Sequence, residues 1–173
     1  MKTKKIAIDA VLAAMCAVLG YVALDMGNIK ITFESLPILL GALFFGPVDG
    51  LAIGFVGTTI YQFVRYGVSV TTPLWIAPYA LAGLFVGYTA KKKGFPLRQK
   101  DIVILTMSSE LFITIFNTLT LYIDSKMFGY YFVGFIAGSL AVRLIICIGK
   151  AVAFSIVLPQ LLDAVLRSGG DTV

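Results

Sequence analysis

The pattern of polar and apolar positions changes period between residues 28 and 47. Apolar and polar residues alternate from Ile29 to Glu34, which is the two-residue period of a strand with one apolar face. From Leu36 the chain is continuously apolar until Gly46 and Pro47, and this run is shorter than the roughly 20 residues that a helix needs to cross a bilayer. The pattern predicts an outer lid strand joined to a short membrane helix, with a ligand chamber beneath the strand.

Longer apolar segments fill most of the remaining chain and predict helices. With the short one, these are expected over about residues 6–24, 36–46, 50–66, 75–90, 101–123 and 132–161. Glycines four apart favour close helix contacts, and the sequence has three such sets, Gly46 with Gly50 and Gly54, Gly83 with Gly87, and Gly134 with Gly138. The expected fold is an all-α membrane protein, with six transmembrane helices in one compact bundle over residues 1–173 and a strand-like outer loop between helices 1 and 2.

Composition and charge agree with a membrane location. The chain is 59% hydrophobic and 13% charged, with a mean hydropathy of +0.95, which excludes a soluble globular domain of this size. The basic residues are concentrated in the N-terminal tail and in one connection, as Lys2, Lys4, Lys5, Lys91, Lys92, Lys93, Arg98 and Lys100. Positive loops stay cytoplasmic, so we expect a multi-pass cell-membrane protein with both termini in the cytoplasm and no nucleic-acid partner.

Three charged residues stand out in the middle of predicted helices, namely Glu110, Arg143 and Lys150. Each costs roughly 2.5–3.5 kcal/mol at the bilayer centre unless it is compensated. Glu110 shares a helical stripe with Thr114 and Asn117, and Arg143 shares one with Ser139 and Lys150. One interpretation is a Glu110–Arg143 ion pair that fixes helix register. The other is a polar wall of a ligand site, in which Arg143 or Asn117 hydrogen bonds to the ligand.

Aromatic and polar residues cluster near the predicted outer ends of the helices. They are Phe33, Tyr61, Gln62, Arg65, Tyr66, Trp75, Tyr79, Tyr122, Tyr130 and Tyr131. Some belong to the interfacial belt that membrane proteins form regardless of function. Arg65, Trp75 and Tyr79 border one outer loop, however, and such a set suits a flat ring system with an anionic group, since aromatic faces stack and a guanidinium holds a carboxylate in bidentate fashion.

Several chemistries are absent from the sequence. There is no histidine, which excludes His-dependent triads and His-ligated metals. Cys16 and Cys147 lie in apolar segments without a CxxC motif and are interpreted as packed thiols. No GxxxxGK[ST] loop occurs, so energy for uphill transport would come from another subunit or an ion gradient. The sequence predicts no enzyme, cofactor or metal, and leaves open a small proton-coupled carrier that uses Glu110.

Four features of the sequence together are typical of one family. They are the small-residue first helix with Ala10 and Ala14, the strand-like outer loop, the segment LPILLGALFFGPVDGLAIGFVGT, and the segment from Trp75 to Gly87. In these features the chain resembles the S components of energy-coupling factor (ECF) transporters. Within that group the chain is most similar to the folate-type members, FolT. The resemblance implies a membrane-embedded vitamin receptor that captures its substrate outside and associates with a transmembrane coupling subunit and two ATP-binding subunits.

The resemblance also implies residue roles. An AxxxA face on the first helix meets the coupling subunit in the family, and it is matched by Ala10 and Ala14. The outer gate loop is matched by Asn28, Lys30, Thr32 and Ser35. By position, the pocket would contain Phe33, Glu34, Trp75, Tyr79, Asn117 and Arg143, and a folate tail would favour a basic rim such as Lys30 or Arg65. Riboflavin, pantothenate or a pyrimidine precursor could use similar groups.

Overall fold

A computed structural model describes residues 2–25, 30–94 and 97–167. Within these residues the chain forms six helices, which confirms the predicted all-α fold. They are α1 Lys2–Tyr21, α2 Ser35–Phe45, α3 Pro47–Tyr66, α4 Thr72–Lys93, α5 Gln99–Met127 and α6 Val133–Arg167. The helices α5 and α6 are longer than the apolar pattern predicted.

The predicted lid strand is not confirmed over its full length. Two short strands, β1 Leu24–Asp25 and β2 Lys30–Ile31, pair antiparallel before α2. The strand does not extend to the end of the alternating segment, because Glu34 already has helical backbone angles, with φ −60° and ψ −26°. Asn28, expected in the gate loop, lies outside the described residues.

Glycines bring α3 and α4 into backbone contact. A Cβ atom added at Gly83 would lie 2.2 Å from the carbonyl oxygen of Gly50, and one added at Gly87 would lie 2.5 Å from the backbone of Pro47. A Cβ atom at Gly54 would lie 2.7 Å from a carbonyl oxygen of α4. Side chains would separate the two helices, so both predicted glycine ladders act here as close-packing surfaces.

The third predicted ladder does not behave in this way. No described atom lies within 4 Å of a Cβ built at Gly138, and a Cβ at Gly134 would meet only the nearby ring of Phe132. Neither glycine therefore contacts a facing helix in the described part of the chain. The four-residue spacing of Gly134 and Gly138 therefore does not mark a contact between helices here, and α6 packs against α5 through other residues.

The short helix α2 is enclosed by the other helices. Its 11 residues extend only about 16 Å, and Ile38 and Leu39 are each 1% exposed. It packs against α1, α3, α4 and α6. The start of α2, including the preceding Glu34, is consequently held in the interior of the bundle.

Three helical segments of the described chain are long and apolar enough to cross a membrane. They are Thr72–Lys93, Gln99–Met127 and Leu140–Ala164. The last two form an antiparallel hairpin, α5 against α6, which contacts the other helices mainly through α4 and α2.

Candidate functional site

A cavity of about 590 Å³ lies between α3 and α4 on one side and α5 and α6 on the other. Most of its lining is polar or aromatic. The lining residues are Thr32, Glu34, Tyr61, Gln62, Tyr66, Ser69, Thr71, Thr72, Trp75, Tyr79, Asn117, Leu121, Asp124, Phe128, Tyr130 and Arg143. Glu34, Trp75, Tyr79, Asn117 and Arg143, which the sequence proposed as ligand-binding residues, are thus brought together around one space.

Glu34 supplies a carboxylate to the cavity from the start of α2. Its side chain is 1% exposed, and the hydroxyl of Thr32 donates to its Oε1 atom at 3.0 Å. Gly20 makes room for this group, because a Cβ atom there would lie 2.8 Å from Oε2 of Glu34 and 2.9 Å from the ring of Tyr61. A buried carboxylate of this kind can accept hydrogen bonds from a ligand.

An amide and a guanidinium supply complementary groups. Asn117 on α5 donates from Nδ2 to the hydroxyl of Tyr79 on α4 at 3.1 Å. Its Oδ1 atom is buried and has no hydrogen-bond partner within the described residues, and the same is true of Nε of Arg143. Buried polar atoms are normally hydrogen-bonded, so this acceptor and this donor are available to a ligand.

Asp124 closes one side of the cavity through two short hydrogen bonds. It accepts from the hydroxyl of Thr71, before α4, and from the hydroxyl of Tyr130, after α5. Burial raises the pKa of Tyr130 to about 12, and the bond to Asp124 adds to the shift. The apolar pattern did not indicate Asp124, because the predicted helix ends at residue 123, whereas α5 continues to Met127.

Comparison with known proteins assigns the family. The model of the ECF transporter substrate-specific component matches residues 4–168. The chain belongs to this family. It is therefore a membrane-embedded, substrate-binding subunit of a transporter and not an enzyme, and S components of this kind associate with ECF coupling and ATPase modules.

Solved S components share the fold. The S component for biotin from an ECF-type ABC transporter superposes with a TM-score of 0.67 at 15% identity, covering 92% of this chain and 91% of that one. The S component of a bacterial ECF transporter superposes with a TM-score of 0.68 at 19% identity, covering 95% and 99%. A search of curated proteins finds no match.

Two proposed ligand residues of this S component lie away from the cavity. Phe33 packs against Phe154 on α6, with ring centroids 6.2 Å apart. Arg65 donates from Nη1 to the carbonyl oxygen of Tyr21 at 2.7 Å. Cations commonly bond to the last carbonyls of a helix, and Tyr21 is the last residue of α1.

The proposed gate residues divide into three groups. Thr32 lines the cavity, whereas Ser35 is fully buried and is not among the lining residues. The backbone of Lys30 belongs to β2, while its side chain is outside the described part of the structure. The basic rim expected from Arg65 is thus replaced by Arg143 as the cation that lines the S-component cavity within the described residues.

Of the two interpretations of the charged helix residues, the Glu110–Arg143 ion pair is wrong. Glu110 instead pairs with Lys150, whose Nζ atom lies 2.9 Å from Oε2. Helices α5 and α6 are antiparallel, and a seven-residue step along either helix covers about 10 Å. Lys150 is therefore level with Glu110, while Arg143 is level with Asn117 and lines the cavity with it.

Proposed function

We propose that this S component captures a vitamin outside the cell and passes it inward with a coupling subunit and two ATP-binding subunits, and that folate is the vitamin. The observation that carries the proposal is the convergence of Glu34, Asn117 and Arg143 on one cavity. Its volume of about 590 Å³ lies in the usual range for small-molecule sites, about 300–1,000 Å³.

The polar groups of the cavity match a pterin with an acidic tail. Adjacent N–H groups of the pterin ring can bond in parallel to a carboxylate such as Glu34. Trp75 offers an aromatic face for stacking, and Arg143 offers a cation to the tail. Pantothenate lacks the aromatic ring, and the match is correspondingly poorer.

The charge distribution supports the proposed orientation. Lys5 at the start of α1 pairs with Asp49 at the start of α3 at 3.0 Å, and the backbone of Gly87, near the end of α4, meets Pro47. The N-terminal lysines and the basic α4–α5 connection therefore lie at one end of the bundle. Positive segments remain cytoplasmic, so both termini face the cytoplasm and the cavity, near the other end of α3, faces outward.

Identification of the bound molecule tests the proposal directly. The protein is purified in detergent and denatured, and the released small molecule is identified by mass spectrometry. Folate is then titrated into emptied protein while the emission of Trp75, the single tryptophan of the chain, is followed. Release of another vitamin would show that folate is not the substrate, but it would agree with the receptor function. If no small molecule is released, and folate, riboflavin, pantothenate and a pyrimidine precursor all fail to bind, the receptor proposal is contradicted.

Trp75→Ala should weaken folate binding at least about fivefold, because stacking on an aromatic ring contributes roughly 1 kcal/mol beyond buried area. Isothermal titration calorimetry measures the effect, since the substitution removes the fluorescent reporter. Phe85→Ala is the matched control on the same helix, because Phe85 is 52% exposed and lies outside the cavity lining. Equal affinities of the two variants would contradict the stacking role.

The first helix carries the proposed docking face. Ala10 and Ala14 are exposed, whereas Ala13 and Cys16 on the other side of α1 are buried against the bundle. Small residues allow another helix to approach closely. Since Ala10 and Ala14 are not used in internal packing, this face fits the coupling subunit.

Leucine at both positions, Ala10→Leu with Ala14→Leu, should abolish uptake while leaving folate binding by the isolated subunit unchanged. The added side chains would hold the coupling subunit away without touching the cavity. Uptake by cells that express the whole transporter gives the first measurement, and titration of the purified subunit gives the second. Ala141→Leu, on the exposed surface of α6, is the control. Loss of binding as well as uptake would indicate internal packing.

The proton-coupled carrier receives no support from the cavity. Glu110 is not among its lining residues, and its carboxylate is paired with Lys150. Uptake that persists after the proton gradient is collapsed would agree with the receptor.

A further inference from the structure

The Glu110–Lys150 ion pair reaches a third helix. Besides its contact with Glu110, Nζ of Lys150 donates to the hydroxyl of Ser35 at 3.3 Å. Ser35 is the first residue of α2 and directly follows Glu34. The side chains of Lys150 and Glu110 are only 10% and 1% exposed. A buried charge on α6 thus contacts the residue next to the carboxylate of the cavity.

Stability alone is a weak explanation for this pair. Burying two charges removes their hydration, and apolar residues of similar volume often hold helices together equally well. The pair is also incompletely satisfied, because Oε1 of Glu110 has no hydrogen-bond partner within the described residues. What Lys150 provides beyond an apolar residue is the bond to Ser35.

The start of α2 is attached to α6 through Lys150. No side chain caps its first turn, and the bond from Thr32 to Glu34 is internal to the same short segment. Lys150 connects this segment to the α5–α6 hairpin. Two turns away on α6, Arg143 lines the same cavity as Glu34.

We propose that Lys150 is a positioning residue for substrate binding. Held by Glu110, it fixes Ser35 and so keeps the carboxylate of Glu34 directed into the cavity, at a defined distance from Arg143. The inference rests on the proposed function in taking Glu34 as a substrate contact, but the position of the segment can be measured without any substrate.

Cysteine accessibility measures that position. The reporter is Thr32→Cys, at a lining residue that is 9% exposed, in the full chain purified in detergent without substrate. The native thiols give little background, since Cys16 and Cys147 are 0% and 5% exposed. The rate of modification by a charged methanethiosulfonate reagent is compared between the reporter alone and the reporter with Ser35→Ala.

Ser35→Ala should raise the modification rate about fivefold, the effect of losing one ordinary hydrogen bond. It retains the ion pair and is expected to fold. The matched control is Ser155→Ala on α6, whose hydroxyl bonds within its own helix to Ala151, and it should leave the rate unchanged. An unchanged rate with Ser35→Ala, or an equal rise with Ser155→Ala, would overturn the proposal.

A second set of variants assigns the effect to Lys150. Glu110→Gln with Lys150→Met removes both charges together and should raise the rate as Ser35→Ala does. Adding Ser35→Ala to that pair should give no further rise, because the same contact is already lost. Lys150→Arg, made with Glu110 unchanged, should keep the slow rate of the reporter protein. Additive effects would show that Ser35 and Lys150 act separately and would overturn the proposal.

Folate titration separates this inference from the proposed function. Ser35→Ala, without the reporter, should weaken folate binding about fivefold, and Ser155→Ala should not. If the unmodified protein fails to bind folate, the choice of vitamin is wrong, while the labelling rates still decide the role of Lys150.

Discussion

Glu34→Gln should lower the affinity for substrate about 100-fold. Hydrogen bonds to charged groups contribute roughly 1.5–3 kcal/mol each, and each 1.4 kcal/mol is about a tenfold change in affinity. The substitution preserves shape and keeps an oxygen that can accept from Thr32. It removes the negative charge and turns one acceptor into a donor, which would face the N–H groups of the ligand. Isothermal titration calorimetry with folate, or with the vitamin that copurifies, gives the affinity.

The control for this prediction is Asp163→Asn, which makes the same change of charge at an exposed residue of α6. Its affinity should equal that of the unmodified protein. Thermal unfolding of both variants without ligand separates binding from folding. An affinity within about twofold of the unmodified protein for Glu34→Gln, well below the loss expected for a charged hydrogen bond, would show that the carboxylate does not contact substrate.

Most of the cavity lining could be predicted from the sequence, for a physical reason. Polar residues in apolar helices are costly in lipid, so they face the bundle interior. Asn117 and Arg143 stand out in this way, and the structure places both at the cavity. Trp75 and Tyr79 follow because they lie one turn apart on α4, on the same side.

The register of α5 against α6 could not be predicted from the sequence in the same way. Arg143 and Lys150 lie on the same stripe of α6, so periodicity indicates their common face but not which of them meets Glu110. That choice depends on how the turn between α5 and α6 aligns the two helices. Closeness in sequence was equally misleading for Arg65. This residue borders the loop before Trp75, which suggested a shared ligand site, yet its side chain bonds to the end of α1.

Gly83→Ala should lower the melting temperature by roughly 2–10 °C and weaken substrate binding, since overpacking a tight contact costs about 1–3 kcal/mol. The new methyl group would lie 2.2 Å from the carbonyl oxygen of Gly50. That oxygen is backbone, so relief requires α3 and α4 to move apart. Because α4 also carries Trp75 and Tyr79, the separation would change the cavity lining. Thermal unfolding in detergent and folate titration measure the two effects.

Gly138→Ala is the matched control for this effect, because no described atom lies within 4 Å of the added carbon. Alanine is the better helix former by roughly 1 kcal/mol, so this variant should be as stable as the unmodified protein or slightly more stable. The same preference acts at Gly83, and any loss of stability there is what remains after that gain. If Gly83→Ala raised the melting temperature as Gly138→Ala does, the close backbone contact between α3 and α4 would be contradicted. Stability lost with affinity retained would show instead that the cavity tolerates a wider spacing of these helices.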